Sequence, residues 1–135
     1  MTPDFFSVAA NVATILASVV AAISLIVGAI QFVATQKSSR ETQAVELFLK
    51  FNQLNIDQGL ATNSQSDHWY NNGKIAITES LYEVTHGSKS WESTVKWMLS
   101  QQEEFICGGD FEVESYSDRF QAFCKNNGYE LKLSS

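Results

Sequence analysis

FFSVAANVATILASVVAAISLIVGAIQFVATQ, residues 5–36, is a run of about thirty residues without Asp, Glu, Lys or Arg. About twenty helical residues cross the hydrocarbon core of a bilayer, so this run is long enough to span one with length to spare. A secretory signal begins with basic residues and has an apolar stretch of about 7–15 residues. Met1-Thr2-Pro3-Asp4 has no basic side chain, and the apolar stretch here is far longer. A core helix of this length and uniform lack of charge would need more chain to cover it than 135 residues supply. The run is therefore read as a transmembrane helix.

Lys37, Arg40 and Lys50 follow the run and no basic side chain precedes it. The positive-inside bias then places the protein in the cell membrane with its N-terminus outside and its C-terminal part in the cytoplasm. Cys107 and Cys124 would face a reducing compartment and are expected as free, buried thiols rather than a disulfide.

Polar and small residues within the run are not scattered. Ser7, Asn11, Thr14, Ser18, Ala21, Leu25, Gly28, Phe32 and Thr35 recur at alternating steps of four and three, which sets them on one helical face. Val8, Val12, Ile15, Val19, Ile23, Ile26, Ile30 and Val33 occupy the rest, branched and apolar, as suits a lipid-facing surface. Lipid tails solvate Leu as well as another helix does, so helices in a bilayer associate through small residues and interhelical hydrogen bonds. Ser7, Asn11, Thr14, Ser18, Ala21 and Gly28 form such an association face, or line a pore in which Leu25 and Phe32 are the apolar constrictions that gate by dewetting. The competing reading has the hydroxyls bonding back to their own helix carbonyls, which leaves a lone anchor.

Beyond the run the helical period continues through Ala44, Leu47, Phe48, Phe51 and Leu54 with no Gly or Pro to stop it, so the helix is expected to reach about Asn55. Residues 55–73 are rich in Asn, Asp, Ser and Gly, including Asn63 and Ser64, and read as a break. Inside it His68, Trp69 and Tyr70 are a candidate ligand-stacking patch, or a loop pinned to the core by its rings.

Helices are expected over residues 74–85, stopped by His86-Gly87, and from Ser90 to Gly108-Gly109, with Trp91, Val95, Met98, Leu99, Gln102, Phe105 and Ile106 on one face. Ser115 or Ser117 can cap a last helix carrying Tyr116, Phe120 and Phe123. Phe111-Glu112-Val113 and residues 129–133 alternate apolar and charged residues, which suits a two-stranded β ribbon or an extended tail. The fold class is thus mainly all-α. Residues 1–36 are the tail and transmembrane helix, 37–56 a juxtamembrane extension, and 57–135 a small soluble helical domain.

The net charge is −6, and much of the acidic excess lies at Glu103, Glu104, Asp110, Glu112, Glu114 and Asp118. That excess repels phosphate, and no Lys/Arg cluster exists to neutralise a duplex, so no duplex nucleic acid is expected as a partner. Asp110, Glu112 and Glu114 are oxygen donors of the kind Ca²⁺ takes, but their spacing is not that of an EF-hand loop. The two histidines, His68 and His86, have no second imidazole or thiol at metal spacing, and no phosphate loop or nucleophile elbow occurs. No catalytic residue, metal or cofactor is assigned, and the chain is read as not an enzyme. No motif points to a small-molecule signal, although the domain is compatible with one.

In layout alone, an N-terminal span running into a small helical cytoplasmic domain resembles bacterial membrane effectors of phage defence and accessory subunits of large membrane complexes. The likeness implies two functions. In one, identical chains self-associate and the domain controls a pore or a membrane-perturbing assembly. In the other, the chain is a non-catalytic accessory subunit packed on other membrane proteins. The expected partners are the lipid bilayer, together with copies of the chain or foreign subunits.

Overall fold

A computed structural model describes residues 5–61, 65–86 and 88–132. The N-terminal tail, the turn residues Asn63 and Ser64, the cap Gly87 and the ribbon residue Leu133 lie outside them. The described residues are mostly helical and contain no strand. They form α1 (Phe5–Leu60), α2 (Gln65–Thr85), α3 (Lys89–Ser100), α4 (Glu103–Ile106), a 3-10 turn (Val113–Ser115) and α5 (Asp118–Asn126). The chain divides into two compact units, Met1–Ser39 and Arg40–Ser135.

Among the described residues the first unit consists only of the part of α1 up to Ser39. Every described side chain from Phe6 to Ser39 is exposed, and the helix is long and apolar enough to cross a membrane.

The second unit is a helical domain in which α2 is covered on two sides. On one side Ile75 joins Leu99, Ile106, Phe111, Val113, Phe120 and Cys124, flanked by Tyr116, Phe123 and Tyr129. On the other Leu81 joins Ala44 and Phe51 of α1 and Val95 and Met98 of α3. Tyr82 touches both clusters and packs its ring 4.5 Å from that of Phe123. The last turns of α1 run antiparallel to α2, with Gln58 opposite Asp67 and Asn55 opposite Lys74.

Helix α1 continues five residues past the expected Asn55, and α2 begins at Gln65, so most of the expected break is helical. Asn is a poor helix former because its side chain competes for backbone hydrogen bonds, and Gly because it gives up the most backbone freedom. Here Asn71 accepts from Gln58 Nε2 across the helix pair at 3.4 Å, while Asn72 bonds His68 one turn back within α2 at 2.9 Å. Gly73 lets α1 close in, since a Cβ at that position would stand 3.3 Å from Leu54 Cδ1. Tertiary contact overrides local preference.

The helix expected from Ser90 to Gly108 is interrupted. Gln102 leaves helical geometry at φ −118° and ψ 10°, donating to Leu99 O at 2.9 Å, and then serves as the N-cap residue of α4. The bend lets Leu99 and Ile106 reach the same cluster.

No ribbon forms among the described residues. Phe111 and Val113 alternate with Glu112 because both are buried in the first cluster. The backbone then tightens, with Ser115 N donating to Glu112 O and Tyr116 N to Val113 O, both at 3.1 Å. Residues 129–132 continue as a tail whose Tyr129 and Leu131 pack on that cluster.

Ser117 caps α5. Its hydroxyl accepts from Phe120 N at 3.3 Å and donates to Glu83 Oε1 at 3.1 Å, while its own N–H donates to Glu79 Oε1 at 2.6 Å. One serine thus starts α5 and ties it to α2. After α5, Gly128 takes φ 90°, a left-handed turn that a Cβ would strain.

Candidate functional site: a polar cleft in the helical domain

The last turns of α1, the first turns of α2 and the bend between α3 and α4 enclose a cleft of about 530 Å³. Gln58, Asp67, Asn71, Lys74, Gln101, Gln102, Glu104, Phe105, Gly108 and Asp110 line it. The floor is a polar network. Lys74 Nζ donates to Gln58 Oε1 at 2.6 Å and to Asn55 Oδ1 at 3.1 Å, and Gln58 Nε2 donates to Asp67 Oδ1 at 3.0 Å. Lys74 is only 5% exposed. Burial lowers the pKa of its ammonium, and the nearby Asp67 carboxylate works in the opposite direction.

Gln102 is 3% exposed. Its Nε2 donates to Gln101 O at 2.9 Å, but its Oε1 is buried with no hydrogen-bond partner. A buried acceptor left in that condition costs about 1–3 kcal/mol. Glu104 and Asp110 are exposed and make no side-chain hydrogen bond or ion pair among the described residues.

His68, Trp69 and Tyr70 sit in the first turns of α2 rather than in a loop. Successive helical residues point about 100° apart, so the three do not share a face. The His68 ring lies 5.7 Å from Phe105, at the edge of the cleft, while Trp69 is 74% exposed and Tyr70 half-buried. His68 also borders a neighbouring hollow of about 430 Å³ with Asp110, Glu112 and Glu114. No group of three or more His, Cys, Asp and Glu side chains converges at metal-binding geometry among the described residues.

Ser7, Asn11, Thr14, Ser18, Ala21, Leu25, Gly28 and Phe32 all lie on α1, and all are exposed. Thr14 Oγ1 donates to Ala10 O at 2.9 Å, Ser18 Oγ to Thr14 O at 2.9 Å, and Ser24 Oγ to Val20 O at 2.8 Å. These hydroxyls are satisfied on their own helix. The Asn11 carboxamide has no hydrogen-bond partner among the described residues. At Gly28 an added Cβ would meet nothing within 4 Å, so the helix itself does not require a glycine there.

Both cysteines are free. Burial, with a smaller contribution from Glu79, pushes the Cys124 thiol up to about 12, as expected of a packing thiol rather than a nucleophile.

No family model, characterised protein or solved structure gives a significant match to this chain.

The sequence did carry one trace of the cleft: Gln102 is the lone amide in an otherwise apolar helical period. Asp67 and Asn71 read as turn formers, and Glu104 and Asp110 as part of the acidic excess. Their convergence with Gln58 depends on the α1–α2 packing, which no local pattern encodes.

Proposed function

We propose that the protein is a single-pass protein of the cell membrane, with its N-terminus outside and its helical domain in the cytoplasm. Its spans self-associate through the face bearing Ser7, Asn11, Thr14, Ser18, Ala21 and Gly28. The domain receives a signal in the polar cleft and controls a homo-oligomeric pore or bilayer-perturbing assembly, with Leu25 and Phe32 as constrictions. Asn11 is the observation that carries this reading. Thr14 and Ser18 already bond within α1, whereas an unpartnered amide in hydrocarbon costs several kcal/mol. Identical chains in register bring Asn11 to Asn11, donor to acceptor. Helix α1 is a single element from Phe5 to Leu60 and supplies Gln58 to the cleft, which supports coupling between signal and span.

The test is mass determination of the full chain purified alone in detergent. A defined oligomer that dissociates in Asn11→Leu but persists in Ser18→Ala supports the reading, and a monomeric wild type overturns it. In liposomes, Leu25→Ser raises leakage if that ring closes a pore, and unchanged leakage removes the pore from the proposal.

A second reading, an accessory subunit packed on other membrane proteins, is favoured by one feature of the domain. Val45, Leu49, Ile56 and Leu60 are exposed and recur at steps of four and seven, forming an apolar stripe on the side of α1 away from Ala44 and Phe51. A wild type that is monomeric alone but co-purifies stoichiometrically with a foreign membrane subunit supports this alternative.

A further inference from the structure

We infer that the domain's stretch of α1 pairs with the same stretch of a second copy of this chain, parallel and in register, along Leu49, Ile56 and Leu60. The inference rests on the self-association proposed above and adds the domain's own share of it. Counted on from Gly28, the alternating step of four and three that marks the polar face of the apolar run reaches Thr42, Glu46, Leu49, Gln53, Ile56 and Leu60. All six are exposed, with Leu49, Ile56 and Leu60 at 60, 57 and 76%.

The domain holds α1 by the opposite seam. Ala44, Leu47, Phe51, Leu54 and Gln58 recur at the same alternation and turn towards the rest of the domain. Ala44 and Phe51 are fully buried with Leu81, Val95 and Met98, and Leu47 packs on that cluster. Leu54 lies against Gly73, and Gln58 accepts from the Lys74 ammonium at 2.6 Å. The period set in the apolar run therefore arrives on the face that the domain leaves uncovered, and large apolar side chains stand there. This shared period selects a second copy. A straight helix drifts about 20° per heptad from a 3.5-residue step, and two parallel helices keep such a seam together by winding left-handedly about each other. A foreign domain docked on the stripe needs no such continuity. Thr42, Glu46 and Gln53 interleave with the apolar positions, and polar seam residues give up stability while fixing register. In register, Glu46 meets Glu46 of the second copy.

The test is disulfide cross-linking of the full chain in lipid vesicles, with Cys107→Ser and Cys124→Ala removing the native thiols. One cysteine is then placed by Leu49→Cys, by Ile56→Cys or, at an exposed position of α3, by Ser93→Cys. Exposed positions tolerate such changes, and matching circular dichroism shows that each chain is folded. Oxidation should convert Leu49→Cys and Ile56→Cys to a two-chain band and leave Ser93→Cys as single chains. Adding Glu46→Gln to Leu49→Cys should quicken the cross-link about two- to fivefold, because a like charge across the seam is gone. No two-chain band at either seam position, equal cross-linking at Ser93→Cys, no gain from Glu46→Gln, or seam cysteines covered only when a foreign membrane subunit co-purifies overturns the inference. Asn11→Leu separates it from the assembly reading. An oligomer that Asn11→Leu dissociates, in chains without the seam cross-link, keeps the membrane face and removes this inference, whereas a seam cross-link with mass indifferent to Asn11→Leu does the reverse.

Discussion

Residues 6–39 and the domain from Arg40 onward use the same apolar vocabulary with opposite outcomes. In the first region Leu16, Ile23, Leu25, Ile30 and Phe32 are all exposed, and in the second Phe51, Ile75, Leu81, Met98 and Leu99 are fully buried. Every buried apolar side chain among the described residues lies at or beyond Ala44. The difference is not in hydrophobicity but in the presence of a second surface. In the domain, α2 presents apolar residues to two sides, and α1, α3, α4 and α5 cover them. Among the described residues the N-terminal stretch has no buried side chain. Its apolar faces need lipid or other helices, which is why the proposal places them there.

One kind of truncation made in both regions sharpens the contrast most. Phe51→Ala removes a fully buried ring and should lower domain stability by about 3–5 kcal/mol, read from a denaturant melt followed by tryptophan fluorescence. Phe32→Ala should leave the same melt within about 0.5 kcal/mol of wild type. A large loss at Phe32 would break the division into two regions.

A pH effect confined to the domain comes next. Burial, reinforced by Glu79 and Glu112, pushes the Tyr116 hydroxyl up to about 12 from the usual 10. Its folded pKa is raised, so the unfolded chain loses this proton first as pH climbs. The stability is therefore fully present below about pH 10 and is lost as pH rises from there towards 12. Thermal midpoints measured between those values should fall for the wild type and fall less steeply for Tyr116→Phe. Equal slopes would mean that Tyr116 is not held from solvent.

The smallest effect tests a single joint. Ser117→Ala removes the α5 cap and the hydroxyl bond to Glu83, and should cost the domain about 1 kcal/mol. An unchanged melt would show that the contacts of Tyr82 with Phe120 and Phe123 hold α5 without the cap.

What could be read from the sequence follows from how local each cause is. The apolar stretch and the serine cap depend on neighbours along the chain, and the residues alone narrow the cap to Ser115 or Ser117, of which the structure uses Ser117. The start of α2 does not, because Asn71 and Gly73 are made tolerable in a helix by Gln58 and Leu54 of another element. Alternation at Phe111-Glu112-Val113 misleads for a different reason: an irregular segment dipping twice into a core has the same period as a strand. The bend at Gln102 was not legible as a bend, because the helical period of Leu99, Phe105 and Ile106 runs on across it. The cleft was least legible, since its residues come from three separate places in the chain and meet only after packing.

The most direct test of the central claim is labelling with a membrane-impermeant maleimide in intact cells, using chains whose sole cysteine replaces Thr2 or Ser39 and whose Cys107 and Cys124 are changed to Ser and Ala. Thr2→Cys should be labelled at once and Ser39→Cys only after the membrane is permeabilised. Equal labelling of both positions in intact cells would contradict a helix that crosses the bilayer between them.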